Sequence, residues 1–240
     1  MSGHSKWHNI QARKGKQDAK RSGMFSKISK MITVAVRSGG GDMDTNFSLR
    51  LAIDRAKAGG FPKDNIDRAI KSGTGELKGN QIEEVSYECY GPGGVAILVK
   101  GFTDNKNRTV SDIKHILSKN GGSMGGSGSV IWMFDQRGVV VVDKGKISDR
   151  EEFELEMMDA GAEEIQDIED NKIKIDTKIE NLKMALDKLK NLVIESEESG
   201  MEWVAKDKVK VGSDVESKLN NLFEHLTDHD DVEDFYTNAE

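Results

Sequence analysis

Apolar residues recur at helical spacing early in the chain: Met24, Phe25, Ile28, Met31, Ile32, Ala35 and Val36 share one side of a 3.6-residue period, with Ser22 as a cap and Gly39 to Gly41 as a stop. Lys27, Lys30 and Arg37 fall off that stripe. A second helix is expected between Asn46 and Ala58, burying Leu49, Ala52, Ile53 and Ala56. Gly59-Gly60 ends it, and Pro62 suits the first turn of a third helix running to Lys71 with Ile66, Ala69 and Ile70 inward. Ahead of this three-helix unit, residues 1–21 show no sustained apolar period and read as an extended basic arm. Behind it, Gly73 to Gly79 has linker chemistry.

Strand and helix signals alternate from there. Glu84 to Tyr90 and Val95 to Thr103 read as strands joined at Gly91-Pro92-Gly93-Gly94, followed by a helix from Asn107 to Lys119 and a strand from Val130 to Phe134. Val139 to Val142 is a continuous apolar run of the kind buried strands show. Ser148 with Glu151, Thr177 with Glu180 and Ser213 with Glu216 have the spacing of capping boxes, so helices are expected to begin at each. Short strands at Glu163 to Ile168, Lys172 to Asp176 and Ser199 to Ala205 complete a β-α-β-β-α-β order from Val139, the split pattern of a ferredoxin-like unit. The last helix buries Val215, Leu219, Leu222, Phe223 and Leu226, and Val232 to Thr237 closes as a strand. If the region from Val139 to Ala205 is an insertion, the flanking pieces form a second α+β layer.

Charge changes this picture more than composition does. The net charge is −7 over 240 residues, yet the first 37 residues hold nine basic side chains and one acid, leaving −15 for the rest. Opposite-signed segments argue for different partners, polyanions at the leading end and neutral or basic protein surfaces behind it. The weaker alternative is that a basic run is merely a solvated tail. Trp7 and His8 lie among the cations, however, and are able to stack on unpaired bases. No apolar run is long enough to span a membrane, and the start lacks the apolar core of a secretory signal, so a cytoplasmic protein is expected.

Catalytic chemistry finds little support. Cys89 is the single cysteine, which excludes an internal disulfide and a multi-thiolate metal site. Gly121-Gly122-Ser123-Met124-Gly125 matches the G-x-S-x-G nucleophile pattern, but a helix precedes it and a strand follows, the reverse of a nucleophile elbow. Neither a GxxxxGK[ST] phosphate loop nor a GxGxxG turn is present. His225 and His229, four apart with Asp228 and Asp230 nearby, lack a third soft ligand, so helix-end polarity outweighs a metal site. No catalytic residue, metal or cofactor is expected. Two polar clusters remain, the Gly91 to Gly94 turn and Thr103 to Thr109, which are expected to share a surface. Turn formation and capping account for them as well as ligand binding does, except that Arg108 at a helix start suits phosphate.

Longer motifs carry a resemblance. MSGHSKW at Met1 to Trp7, FSKISKMITVAVRSGG at Phe25 to Gly40, PKDNIDRAI at Pro62 to Ile70, YGPGGVAILV at Tyr90 to Val99 and TDNKNRT at Thr103 to Thr109 are similar to the YebC family, in one order along the whole chain. Cys89, Met43 and Gly60-Phe61 depart from the glycine, proline and Asn-Met usual there. The resemblance implies an α+β multidomain protein: an N-terminal three-helix domain followed by two ferredoxin-like α+β domains, one inserted into the other. The expected division is a basic arm over 1–21, a helical domain over 22–78, a discontinuous α+β domain over 79–136 and 207–240, and an inserted domain over 137–206.

The resemblance also implies a cytoplasmic, non-enzymatic protein. Members are described as probable DNA-binding transcriptional regulators, while mitochondrial relatives are translational activators and bacterial ones have been linked to ribosomes and relief of stalled translation. Both readings stay open. A three-helix unit can lay a helix in the major groove, with Lys27, Lys30, Arg50, Arg55 and Arg68 near phosphates, although no clear helix-turn-helix is visible. An extended basic arm suits folded RNA on a ribosome. In either case the expected nucleic-acid-binding residues are Lys6, Trp7, His8, Arg13, Lys14, Lys16, Lys20, Arg21, Lys27, Lys30 and Arg108, with the acidic remainder free to meet protein.

Overall fold

A computed structural model describes residues 17–77 and 81–240, with side chains from Gly23 onward. Three helices come first: α1 (Gln17–Gly39), α2 (Phe47–Ala58) and α3 (Lys63–Thr74). Their common core is Ile28, Ile32 and Val36 of α1 against Leu49, Ile53 and Ala56 of α2 and Ile66 and Ala69 of α3. Phe25 meets Phe61 edge-on at 5.1 Å. Asn46 starts α2 by accepting from Leu49 N at 3.0 Å, and its amide donates to the Ala35 and Gly40 carbonyls at 2.8 and 2.7 Å. One side chain thus caps one helix and satisfies the end of another.

A four-stranded antiparallel sheet follows, built from β1 (Glu83–Tyr90), β2 (Ala96–Thr103), β3 (Ser123–Met124) and, much later, β8 (Val232–Thr237), in the order β3-β1-β2-β8. Helices α4 (Lys106–Lys119) and α7 (Ser213–Asp228) cover one face, where Ile97, Val99, Ile113, Leu117, Leu222 and Phe235 are buried together. Phe223 and Phe235 stack at 4.6 Å. Between α4 and α7 in sequence lies the second sheet, β5-β6-β4-β7, from β4 (Phe134–Asp143), β5 (Ala162–Ile168), β6 (Lys172–Thr177) and β7 (Ser196–Ala205). Helices α5 (Arg150–Asp159) and α6 (Leu182–Asn191) pack on it through Phe153, Met157, Leu182, Ala185 and Leu189. This β-α-β-β-α-β order with the first strand between the third and fourth is the split βαβ arrangement.

The units meet directly. Ala96, Leu98 and Tyr236 of the first sheet bury against Val130, Phe134 and Trp203, and Leu51 of α2 joins the core of the second sheet.

Several expectations need correction. The arm was expected to stay extended to Arg21 with Ser22 as a cap, whereas α1 already includes Gln17 to Ser22. The apolar period starts at Met24, but a helix propagates into polar residues once the packed part is nucleated. Val130 to Phe134 is not a strand: Ile131–Met133 is a 3-10 turn, Ser123–Met124 supplies the edge strand, and Phe134 opens the long strand β4. None of the three capping boxes forms. Asp149 caps α5 by accepting from Glu152 N, Thr177 ends β6 with its hydroxyl on the Gly138 and Lys178 carbonyls, and Gly212 precedes α7 without a side-chain cap. An acidic Asp next to Ser148 is the stronger acceptor at a helix N-terminus, and Thr177 is fully committed to the sheet.

Candidate nucleic-acid interface

Lys6, Trp7, His8, Arg13, Lys14 and Lys16 lie outside the described residues. Lys20 and Arg21 fall in the first turns of α1, where the backbone alone is described. The remaining three expected residues, Lys27, Lys30 and Arg108, converge on one joint between the helical unit and the first sheet.

Asp231 is the centre of that joint. It enters β8 with its side chain 3% exposed and receives Lys30 Nζ on Oδ1 at 2.6 Å and the Arg108 guanidinium on Oδ2 at 2.8 Å. The hydroxyls of Thr109 and Thr103 stand 2.8 and 3.2 Å from the same Oδ2. Burial pushes the Asp231 carboxyl up, but hydrogen bonds from Arg108, Lys30 and Thr109 outweigh it and hold the group well below the usual carboxylate range. Arg108 comes to the joint because Asn105 caps α4, accepting from Arg108 N at 3.1 Å, which turns the guanidinium back onto Asp104 at 2.9 Å as well as Asp231. Its hydrogen bonds to Asp231 and Asp104 raise its pKa.

Lys27, one turn before Lys30, donates to the Thr227 carbonyl at 2.6 Å, in the last turn of α7 where carbonyls lack helical partners. Burial lowers its pKa, opposed by Asp230, Asp234 and Asp228. His229 Nδ1 accepts from Asp231 N at 3.1 Å, which places its ring proton on Nε2, 3.5 Å from Asp112 Oδ2. Around these groups a cleft of about 720 Å³ runs between α1 and α3 on one side and the α4 start and α7–β8 turn on the other. Its acids include Asp104, Asp112, Asp228 and Asp230. The joint therefore binds the fold together: each cation faces a carboxylate or a helix-end carbonyl of the same chain.

The two polar clusters expected to share a surface do not. Glu83 pairs with Thr103 and Tyr90 with Ala96. The Gly91 to Gly94 turn therefore lies a full strand length away from the Thr103 to Thr109 exit, about 23 Å at ~3.3 Å per residue. A β-hairpin separates the residues that sequence proximity suggested would meet.

The other chemical candidates have structural partners. Ser123 sits on the edge strand β3 opposite Tyr90, with helix α4 before it. His225 Nδ1 lies 2.7 Å from the Asn221 carbonyl within α7. Cys89 is buried in β1, where desolvation and the nearby Glu88 push its thiol up to about 12, an unreactive state at neutral pH. Among the described residues, no group of three His, Cys, Asp or Glu side chains is placed to hold a metal, and no helix is long and apolar enough to cross a membrane.

Two residues that matter most here escaped sequence reasoning. Asp231 was hidden among 42 acids, and only its place at the start of an apolar strand set it apart. Glu88 alternates with buried Cys89 and reads as an outward strand position. Its carboxylate instead takes the amides of Gly128, Val130 and Ile131 at 2.6, 2.7 and 2.9 Å. Burial raises that carboxyl and the backbone amides lower it by more.

Residues 5–76 match the model of the TACO1/YebC protein N-terminal domain, and residues 82–239 match that of the TACO1/YebC second and third domain. A probable transcriptional regulatory protein of Kosmotoga olearia is 49% identical over 243 residues, covering 100% of this chain and 94% of its own. Another of the same description, from Maridesulfovibrio salexigens, is 49% identical over 240 residues, covering 100% and 96%. The crystal structure of a conserved hypothetical protein of Aquifex aeolicus superposes with a TM-score of 0.86 at 38% identity, covering 95% of this chain and 93% of that one.

Proposed function

Because this chain belongs to the TACO1/YebC family, we propose that it is a non-enzymatic regulator of gene expression, in line with its curated relatives' description as probable transcriptional regulatory proteins, and that it acts by binding nucleic acid, with DNA as its target. The observation that carries this reading is the charge division: nine cations against one acid in the first 37 residues, ahead of a body at −15. Lys27, Lys30 and Arg108 serve the interdomain joint. The phosphate grip is therefore assigned first to Lys6, Arg13, Lys14, Lys16, Lys20 and Arg21, with Trp7 and His8 as base contacts. Arg108, whose side chain is 48% exposed, is a secondary contact at the cleft edge. The acidic body keeps the rest of the molecule clear of phosphate and leaves it available to protein.

Binding of the intact chain to duplex DNA tests this directly. A preferred duplex is expected to exceed a scrambled one by ~10³-fold or more, with about 0.9 in the log–log salt slope for each phosphate neutralised. Charge reversal at Arg13, Lys14, Lys16, Lys20 and Arg21 is expected to abolish binding while the protein still melts cooperatively. Equal affinity for scrambled duplexes rejects selective DNA recognition. Loss of ribosome co-sedimentation in the same charge-reversed chain, without any effect on DNA, moves the function to translation.

A further inference from the structure

The face of the second sheet turned away from its helices is closed, yet it joins none of the apolar cores formed by the described residues. Helices α5 and α6 pack against Val140, Val142, Ile173 and Ile175. The alternate residues point the other way, and register sets Val139 beside Asp176 and Val141 beside Lys174. Val139, Val141, Lys174 and Asp176 are only 1, 7, 5 and 2% exposed. An antiparallel sheet face turned to water keeps its central residues wet, and a lysine there extends its amine into solvent. Lys174 is instead buried with its Nζ 2.9 Å from Asp176 Oδ1. Neither valine belongs to any core that the described residues build.

Charge, chain length and direction identify the cover. The cations of this face, Lys174, Arg137 and Lys172, are committed to Asp176, Glu163 and Glu197 at 2.9, 2.6 and 2.7 Å. Register also sets Glu164, Glu198 and Glu202 around the buried patch, so the face is net negative. Residues 1–16 carry Lys6, Arg13, Lys14 and Lys16 without one acid, and Trp7 and Ile10 supply large apolar side chains among them. Sixteen residues reach up to about 50 Å. Their point of departure lies on the right side. Helix α1 runs antiparallel to α2, with Ala35 at Asn46 and Met24 at Gly59. Helix α2 lies along β7: Phe47 and Leu51 at its start join the helix-side core, while Arg55 near its end stands in the field of Glu202 on the other face. The start of α1 therefore projects past the end of α2 on the acidic side. Residues 78–80 are tied through Leu77 and Ile82 to Lys71 and Arg37, toward the opposite end of α1, and are too few to cover the patch.

We propose that residues 1–16 seat across this face, with Trp7 and Ile10 over Val139 and Val141 and with Arg13, Lys14 and Lys16 against Glu164, Glu198 and Glu202, and that nucleic acid must displace the segment to bind it. The seat stands on burial and charge, whereas the competition rests on the nucleic-acid reading above. The same cations and the same indole serve either partner, so one occupant excludes the other. Carboxylates of the body act as an internal competitor for phosphate. Affinity for nucleic acid is then reduced by the fraction of molecules in which the segment is free.

The test is the initial rate of trypsin cleavage after Arg13 and Lys14 in the full chain, followed by mass spectrometry. Replacing Glu164, Glu198 and Glu202 together by Gln is expected to accelerate it about 10-fold, the combined effect of three surface ion pairs. Replacing Trp7 and Ile10 together by Ser is expected to accelerate it by at least ~10-fold through loss of apolar burial. A control that neutralises Glu151, Asp187 and Glu224, exposed on α5, α6 and α7, is expected to keep the wild-type rate. An unchanged melting temperature in each variant establishes that the fold is intact. An unaltered rate in either test variant, or equal acceleration in the control, overturns the seat. Protection that grows with protein concentration gives the face to a second copy's segment and overturns the intramolecular form. Duplex DNA is expected to bind the Glu-to-Gln variant about 10-fold more tightly than the control, which has the same net charge. Equal affinity in the two overturns the competition. Accelerated cleavage with no DNA binding by any form keeps the seat and rejects the proposed function, whereas DNA binding with unaltered cleavage keeps the function and rejects the seat.

Discussion

At the scale of single residues, Gly101 shows how much one missing methyl group permits. The β2–β8 pairing shifts register between Lys100 and Gly101, and Phe102 N bonds the Asp231 carbonyl at 2.9 Å. A Cβ on Gly101 would lie 2.0 Å from that carbonyl oxygen, which is backbone and has nowhere to turn. Gly101→Ala is therefore expected to lower stability by about 1–3 kcal/mol, as overpacking does in close-packed interiors, measured by urea unfolding. A wild-type midpoint would show that β8 shifts without cost. Nothing in the sequence marks this glycine as special, since its requirement comes from a strand 130 residues away. Arg108 is the opposite case: its place beside an Asn cap was readable, but the carboxylate it serves was not.

At the scale of elements, Glu88 does for a loop what Asn46 and Asn105 do for helices, supplying acceptors to backbone amides that have no ladder partner. Glu88→Ala is expected to accelerate hydrogen exchange at the Gly128, Val130 and Ile131 amides while leaving the β1–β2 ladder protected. Equal acceleration across the hairpin would mean that Glu88 supports the sheet and not the loop. Elements with strong apolar periods, α2, α4, α7 and β8, were legible to within a residue or two because burial and period coincide in them. The failures came where local polar signals compete. Val130 to Phe134 looks like a strand by composition, but Glu88 draws the amides of Val130 and Ile131 into a turn. Thr177 looks like a cap, but the sheet claims it first.

At the scale of the whole molecule, Asp231 ties α1 to α4 and β8, and its protonation is coupled to folding. Its folded pKa lies below the ordinary carboxylate value, so its contribution is complete above that value, about 3.9, and is lost as pH falls toward the folded one. Asp231→Asn is expected to destabilise the chain by about 3 kcal/mol at neutral pH, as removal of one member of a buried ionic cluster does. The gap between wild type and variant should narrow only below about pH 4, followed by urea unfolding across the acid range. A gap that stays constant to the lowest pH would show that Asp231 contributes by shape and not by charge. The amino-acid sequence by itself determined the three-helix unit, the β-α-β-β-α-β order of the inserted sheet, the closing helix and strand, and the concentration of positive charge at the start, because periodicity, turn residues and charge are local properties. Only the tertiary structure decided that Lys27, Lys30 and Arg108 meet one joint, that the Gly91 turn and Thr103 exit stand apart, and that Trp132 faces outward. Each of these depends on strand register and on contacts between residues far apart in the chain, where pairing is chosen by the burial of the whole core and not by any short run of residues.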